Sequence, residues 1–312
     1  MSQHTFILCP GQGAQVVGMG KDFFEKSAAA KVVFERANSV LGFDISAICF
    51  GGPEEKLNQT DISQPAIYVT SLACFAAAKE AGVLSADAPG TEFAGLSLGE
   101  YTALHLAGVF DFETGLKLVA ARGKYMQEAA VATPSGMVAV LGTDEAGANA
   151  LCEEAAGGEV LVPANFNAPG QIVISGSAAA CERALTVAAA KGLKTVALKV
   201  AGAFHSPIMQ SGADKMRGEL DRVEFKAPKA TVYSNVTAQP HTDAASIKRL
   251  LVDQIVKPVR WEQTMQHLIA MAPEGRYVEL APQRTLAGMI KRINRRLPVD
   301  SFATVDTLVP KV

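Results

Sequence analysis

Short apolar runs alternate with helical patterns over the first 130 residues. Phe6–Cys9 is an apolar run that ends in Pro10-Gly11-Gln12-Gly13, which is typical of a buried strand entering a tight turn. The pattern then predicts helices at 22–41 and 63–81, a strand at 93–94, and helices at 100–106 and 113–130. Ser63 is the expected N-cap of the second helix, with Pro65 in its first turn. Such alternation favours an α/β fold with a largely parallel sheet.

The order of predicted strands and helices changes near residue 136. Strand patterns at 137–141, 160–164, 172–174 and 195–200 and helical patterns at 144–156 and 178–191 give the order β-α-β-β-α-β. That order predicts a ferredoxin-like small domain over 132–201, inserted into a large domain formed by 1–131 and 202–312. In the resumed large domain we expect a strand at 231–234, a helix at 245–254, a helix from Trp261, a strand at 277–280 and a basic final helix.

Composition narrows the functional classes. Hydrophobic residues make up 49% of the 312 residues and charged residues 19%, which excludes a disordered or coiled-coil chain. A formal net charge of -2 offers no general attraction to nucleic acid or an anionic membrane. No apolar run reaches the ~18 residues of a membrane span, and the start does not have the pattern of a signal peptide. The five cysteines form no CxxC pair, so we expect reduced core thiols in a cytoplasmic protein.

Gly95-Leu96-Ser97-Leu98-Gly99, between a strand and a helix, has the GxSxG pattern of a nucleophile elbow. A serine on so tight a turn needs small residues two positions before and after it, because a Cβ there would clash. The amide of Leu98 is the natural first donor to an oxyanion. The alternative interpretation is an ordinary glycine-rich turn.

A nucleophilic serine needs a base, and His205 is the best-placed candidate. It follows a predicted strand and comes after Ser97 in the chain, as in the α/β-hydrolase order. His105 lies eight residues beyond Ser97 on the same predicted helix, about 12 Å along its axis and too far to take the proton. The remaining histidines lie at the terminus or in polar, exposed stretches: His4, His241 and His267. A histidine satisfied within its own loop is the alternative.

The residues alone do not show which group orients the imidazole of His205. Four carboxylates are candidates, most of them expected to be solvated caps, and a backbone carbonyl would serve equally well: Asp111, Asp144, Asp253 and Glu262.

Two further features suggest binding roles. The segment from Gly11 to Val16 departs from the GxGxxG pattern, because its sixth residue is Val16 and not glycine. A loop that supplies a second oxyanion donor therefore fits better than a dinucleotide site. Arg122 lies in an otherwise apolar helical stretch. It is either a snorkelling surface residue or a buried guanidinium that binds a carboxylate through two hydrogen bonds.

Taken together, six motifs resemble those of the malonyl-CoA:acyl carrier protein transacylases, in the same order and over nearly the whole chain. They are Pro10-Gly11-Gln12-Gly13-Ala14-Gln15, Gly95-Leu96-Ser97-Leu98-Gly99-Glu100, Arg122-Gly123-x-x-Met126-Gln127, Asn165-x-Asn167-x-Pro169-Gly170-Gln171, Phe204-His205-Ser206 and Gln254-x-x-x-Pro258-Val259-x-Trp261. The resemblance implies an α/β-hydrolase-like large domain and an inserted ferredoxin-like domain.

The resemblance also implies site roles. Ser97 would carry the malonyl ester and His205 would act as base and then acid, with the main-chain carbonyl of Gln254 orienting its ring. The amides of Gln12 and Leu98 would form the oxyanion hole. The residues implied to bind substrate are Arg122 for the malonyl carboxylate, Gln171 in the pocket wall, and Phe204, which leaves little room for an α-methyl group.

Two departures from the family pattern stand out. Leu96 replaces the usual His beside the nucleophile, and Ala281-Pro282-Gln283-Arg284 replaces the usual Gly-Pro-Gly-Lys. The first departure is expected to affect the rate or the acyl selectivity. The second is expected to affect a loop rather than the chemistry.

The resemblance implies malonyl-CoA as substrate, no metal or redox cofactor, and an acidic acyl carrier protein as partner. The carrier's expected landing patch is Lys291, Arg292, Arg295 and Arg296, for which a solvated helix face is the alternative. Three other functions stay open: a stand-alone acyltransferase of polyketide synthesis, a hydrolase of acyl-carrier thioesters and an inactive scaffold. The carboxylate-binding Arg122 argues against the hydrolase, and intact Ser97 and His205 argue against the scaffold.

Overall fold

Two four-stranded sheets organise the part of the chain that the computed structural model describes, residues 4–308. The strands are β1 (Thr5–Cys9), β2 (Thr91–Gly95), β3 (Ser135–Leu141), β4 (Leu161–Ala168), β5 (Gln171–Ser177), β6 (Lys194–Ala197), β7 (Arg276–Leu280) and β8 (Val299–Phe302). The helices are α1 (Lys21–Lys26), α2 (Ala28–Leu41), α3 (Ile45–Gly51), α4 (Glu54–Leu57), α5 (Thr60–Glu80), α6 (Gly99–Leu106), α7 (Phe112–Ala132), α8 (Glu145–Ala156), α9 (Ala178–Ala190), α10 (Gln210–Asp221), α11 (Ala244–Val256), α12 (Trp261–Met271) and α13 (Thr285–Ile293).

The first sheet is parallel and has the order β2-β1-β7-β8. The inner strand β1 is buried from Phe6 to Cys9, because its side chains enter two apolar clusters alternately, Phe6 and Leu8 one and Ile7 and Cys9 the other. Parallel strands end at the same edge, so the residues that follow β1 and β2 meet there. This α/β arrangement with a parallel sheet is the one that the sequence predicts.

The second sheet is antiparallel, with the order β4-β5-β3-β6. Its four strands and the helices α8 and α9 all lie between residues 135 and 197. α8 and α9 pack on this sheet over a separate apolar core that includes Val140, Leu151 and Ile174.

The helix α5 is buried along most of its 21 residues, between α2 and α7. It begins at Thr60 with Gln59 as N-cap, so the prediction that Ser63 caps it is wrong. Ser63 and Pro65 lie inside the buried helix, which tertiary packing holds in place despite the proline. This packing brings Gln64 of α5 and Arg122 of α7 together, and Arg122 reaches Ser97 just beyond the end of β2.

Several elements differ from the sequence-based prediction. The predicted helix 22–41 is broken at Ser27, whose extended backbone and hydroxyl cap α2 by accepting from the amide of Ala30. The segment 231–234 forms isolated bridges rather than a strand, one of them between Val232 and Phe93. Strand β8 and helix α10 were not predicted. No helix in the range 4–308 is long and apolar enough to cross a membrane.

Candidate active site

Ser97 lies on a tight turn between β2 and α6, at the carboxyl edge of the parallel sheet. Its backbone φ is +53°, a conformation that residues with a side chain seldom adopt. A Cβ on Gly95 would lie 2.0 Å from the carbonyl of Gly99, and a Cβ on Gly99 would lie 2.0 Å from the carbonyl oxygen of Cys9. The two glycines of the GxSxG motif are therefore required for the chain to pass so closely.

His205 lies directly against this serine. Its Nε2 is 2.9 Å from Oγ of Ser97, and its Nδ1 is 2.6 Å from the main-chain oxygen of Gln254. In neutral His205 the carbonyl accepts the Nδ1 proton, which leaves Nε2 free to accept the serine proton. A carbonyl therefore orients the ring.

The candidate carboxylates lie elsewhere. Asp111 and Asp144 cap α7 and α8, Asp253 pairs with Lys257, and Glu262 accepts from Gln266. Nδ1 of His105 donates to the carbonyl oxygen of Phe110, and His267 is exposed. Of the histidines, His205 alone makes a hydrogen bond to Ser97 among residues 4–308.

Burial lowers the pKa of His205 to about 4, and the nearby positive charge of Arg122 adds to the effect. The hydrogen bond to the Gln254 carbonyl opposes the shift, since it favours the charged ring. His205 is consequently neutral at pH 7. A neutral imidazole beside a serine hydroxyl is the protonation state that a general base requires.

Arg122 is 1% exposed and reaches the nucleophile from α7. Its Nη2 donates to Oγ of Ser97 at 3.1 Å and to Oε1 of Gln254 at 2.8 Å, and its Nη1 donates to Oε1 of Gln64 at 2.7 Å. Within residues 4–308 its Nε has no partner, and no carboxylate lies within ion-pair distance of it. This guanidinium is buried, charged and held only by neutral acceptors.

Two amides are expected to form an oxyanion hole, those of Leu98 and Gln12. Leu98 is the first residue after the nucleophile, and Gln12 lines the cavity beside it. Gly11 lets the loop after β1 approach, because a Cβ there would lie 2.3 Å from the carbonyl oxygen of Leu96. Among the described residues neither the Leu98 nor the Gln12 amide donates a hydrogen bond. Both donors are thus available to a developing oxyanion.

A cavity of about 340 Å³ opens over Ser97 and lies between the two sheets. Gln12 and Arg122 line it on the side of the parallel sheet, while Met137 and Val173 line it on the side of the antiparallel sheet. Phe204 forms part of its wall. Gln171 does not: it lies at the start of β5, opposite Leu141, and the polar wall residues from this region are Asn165 and Asn167.

Leu96, which replaces the usual His, is buried and contributes to the cavity wall. It belongs to an apolar cluster with Phe6, Leu8 and Trp261. An apolar side chain beside the nucleophile keeps this part of the wall free of hydrogen-bonding groups. In the other departure, the carbonyl of Ala281 accepts from the hydroxyl of Ser71, which ties that loop to α5.

Sequence reasoning missed a buried polar group behind the serine. Glu100 accepts from Nε2 of His241 at 2.7 Å and from Nε2 of Gln254 at 2.6 Å. The side chains of Glu100 and His241 are both 0% exposed, so the prediction that His241 is exposed is wrong. Gln64 and Asn235 were missed as well; a lone Gln within the apolar run of α5 is the signal that could have revealed the first.

The four basic residues expected to meet a carrier are all exposed, at and beyond the end of α13. Met289 of the same helix lines the cavity. The patch of Lys291, Arg292, Arg295 and Arg296 therefore follows directly after a residue of the cavity wall.

The chain is similar to known proteins along almost its whole length. The family model described as an acyl transferase domain matches residues 5–312. A malonyl CoA-acyl carrier protein transacylase of Escherichia coli O157:H7 is 40% identical over 294 residues, 94% of this chain and 93% of that protein. The malonyl CoA-acyl carrier protein transacylase structure from Coxiella burnetii has a TM-score of 0.93 at 36% identity, covering 98% of this chain and 96% of that one.

A further solved structure contains a malonyl-transacylase in complex with its type II polyketide acyl-carrier protein. It has a TM-score of 0.92 and 37% identity, and the match covers 98% of each chain.

Proposed function

The chain belongs to the acyl transferase domain family, and from that premise we propose that it transfers malonyl from malonyl-CoA to the thiol of an acyl carrier protein. The product, malonyl carried on acyl carrier protein, supplies fatty acid chain elongation. The observation that carries the malonyl specificity is Arg122, a buried guanidinium 3.1 Å from the nucleophile that has no carboxylate partner in the described range 4–308.

The first half-reaction loads the enzyme. As Oγ of Ser97 attacks the thioester carbon of malonyl-CoA, Nε2 of His205 takes the hydroxyl proton. The amides of Leu98 and Gln12 stabilise the oxyanion. When the C–S bond breaks, the coenzyme A sulfur takes that proton from His205, which leaves malonyl as an ester on Ser97.

The second half-reaction is the reverse sequence with another thiol. The pantetheine thiol of the carrier gives its proton to His205 and attacks the ester carbon, and Ser97 recovers a proton as the C–O bond breaks. Because the acyl group passes through the enzyme, ping-pong kinetics are expected. Every step is a nucleophilic displacement or a proton transfer, so the proposed reaction requires no metal or redox cofactor.

Arg122 selects the acyl group. A planar guanidinium binds a carboxylate through two parallel hydrogen bonds, and burial strengthens that interaction. The malonyl carboxylate would take up the Arg122 donors, including the unpartnered Nε. Phe204, in the same wall, would restrict the space around the α-carbon and so disfavour a methylmalonyl group.

We also propose a division of the chain into two domains. The parallel sheet with its serine elbow supports an α/β-hydrolase-like large domain over 1–131 and 202–312. The order β4-β5-β3-β6 supports a ferredoxin-like domain over 132–201. With these boundaries the cavity lies between the two domains, a common place for a substrate site.

We infer the carrier's docking surface from charge. Acyl carrier proteins are acidic, and Lys291, Arg292, Arg295 and Arg296 form an exposed basic patch beside the cavity wall. The solved complex of a related malonyl-transacylase with its carrier supports a partner of this kind. A cytoplasmic location is consistent with five buried, unpaired cysteines.

Parallel incubation with malonyl-, methylmalonyl- and acetyl-CoA, followed by intact-mass measurement, tests this function. We expect full loading by malonyl, little by the other two, and transfer of the malonyl group to added acyl carrier protein. Rapid release to water instead of transfer would favour the hydrolase. Separate transfer reactions, one with a carrier protein of fatty acid synthesis and one with a carrier protein of polyketide synthesis, distinguish the two pathways.

A further inference from the structure

A carboxylate lies buried immediately behind the nucleophile, and the chemistry proposed above does not use it. Glu100, the second residue of α6, accepts hydrogen bonds from Nε2 of Gln254 at 2.6 Å, the amide of Asn235 at 3.1 Å and Nε2 of His241 at 2.7 Å. Within residues 4–308 it has no lysine or arginine partner within 4 Å. A buried carboxylate of this kind is costly unless its acceptors are filled, and here three donors fill them.

The hydrogen bond to Gln254 fixes which way that amide points. Nε2 of Gln254 donates to Glu100 and to the main-chain oxygen of Ser97 at 3.0 Å, so Oε1 faces the other way and accepts from Arg122. Rotating the amide by 180° would direct its oxygen at the carboxylate of Glu100 and its NH₂ at the guanidinium of Arg122. Both contacts are repulsive, and Glu100 therefore holds the Arg122 acceptor in place.

The hydrogen bond between Glu100 and the Asn235 amide connects Glu100 to the turn that carries Ser97. The Asn235 side chain accepts from the amide of Ser97 at 2.5 Å and donates to the carbonyl oxygen of Gly95 at 2.6 Å. Since Glu100 anchors the Asn235 backbone, one carboxylate reaches both the nucleophile turn and the residue that binds the acyl carboxylate.

We propose that Glu100, with His241 sharing its buried carboxylate, is the positioning residue that aligns Arg122 with Ser97 through the Gln254 amide. The proposal rests on the proposed malonyl transfer and adds a determinant of acyl selectivity outside the cavity wall. His241 completes the unit because it fills the second carboxylate oxygen, while its Nδ1 has no partner in the described part of the chain. No hydrogen bond at Nδ1 would therefore have to break if the ring proton moved to it in a variant that lacks the carboxylate.

Two substitutions separate acceptor position from charge. Glu100→Asp keeps the charge but withdraws the carboxylate from Gln254 and Asn235. Glu100→Gln keeps an acceptor in position, because its amide oxygen can face Gln254 while its NH₂ donates to His241 protonated at Nδ1. We expect kcat/KM for malonyl-CoA to fall about 100-fold in Glu100→Asp and less than about 10-fold in Glu100→Gln.

The decisive readout is the ratio of malonyl to acetyl loading, which a merely structural role would not change. It should fall at least about tenfold in Glu100→Asp and stay near the wild-type value in Glu100→Gln. Glu92→Asp is the matched control, since Glu92 is a buried carboxylate that contacts His4 and Tyr233 at the opposite end of β2. That control should keep the ratio, and thermal unfolding of each variant reports the folded fraction.

An unchanged ratio in folded Glu100→Asp would overturn the proposal. A collapsed ratio in Glu100→Gln would overturn it too, by showing that charge rather than acceptor position matters, and this variant remains informative where the aspartate variant does not fold. The proposed function fails separately: in that case wild-type protein itself takes up no malonyl.

Discussion

The Oγ of Ser97 lies 2.9 Å from Nε2 of His205, although the two residues are 108 positions apart in the chain. Both residues adopt positive φ values, +53° for Ser97 and +57° for His205. Such backbone conformations persist only where the surrounding structure enforces them, and they concentrate at functional sites. The fold thus holds a nucleophile and its base in contact from two separate loops.

Replacing Arg122 by alanine should remove malonyl selectivity. The substituted enzyme loses the buried cation that binds the malonyl carboxylate, a loss of about 2–5 kcal/mol, or at least ~30-fold in kcat/KM for malonyl-CoA. Acetyl-CoA carries no such carboxylate, so its loading should change far less. Parallel loading rates measured by intact mass check this, and an equal loss for both substrates would show that Arg122 does not bind the carboxylate.

The pH dependence of loading should report the lowered pKa of His205. The neutral ring is the active form, so kcat/KM should rise with pH through about 4 and level off above that, well below the pKa of 6.5 of a free histidine. Because the charge of Arg122 contributes to the lowering, Arg122→Gln should move this limb to higher pH. Acetyl-CoA is the suitable substrate for the comparison, and a limb near 6.5 in the wild type would contradict the account.

Gly99→Ala should damage the elbow. The added Cβ would lie 2.0 Å from the carbonyl oxygen of Cys9, a backbone atom that cannot move independently of β1. We expect a loss of about 1–3 kcal/mol in the free energy of unfolding and a lower acylation rate as Ser97 shifts. Gly218→Ala, in open space on α10, is the control and should stabilise by about 0.5–1 kcal/mol. Equal behaviour of the two variants in denaturant titration would refute the steric argument.

Local patterns sufficed for much of the fold. The strand, turn and helix around Ser97 are encoded in the continuous stretch from Thr91 to Leu106, as are the glycines that the turn requires. Helices whose apolar faces meet a core, such as α7, were also predictable to within a few residues. In these segments local preference and tertiary packing agree.

Contacts between segments that are distant in the chain were not predictable from the sequence. His241 lies in a polar segment, which suggests that its side chain is exposed. In the structure it is buried and bonded to Glu100, 141 residues earlier in the chain. The segment containing Val232 has a strand-like sequence but pairs only at isolated positions. The carbonyl of Gln254 carries no signal in its side chain, since any residue supplies a main-chain oxygen. Such features depend on which distant segments meet, and one sequence does not state that.

The site of acylation tests the central claim most directly. Wild-type protein incubated with malonyl-CoA, digested and analysed by tandem mass spectrometry should carry one malonyl group, on the peptide that contains Ser97. Ser97→Ala should carry none, although its unfolding transition should match that of the wild type. Malonyl found stably on another residue, or undiminished labelling of Ser97→Ala, would contradict the account.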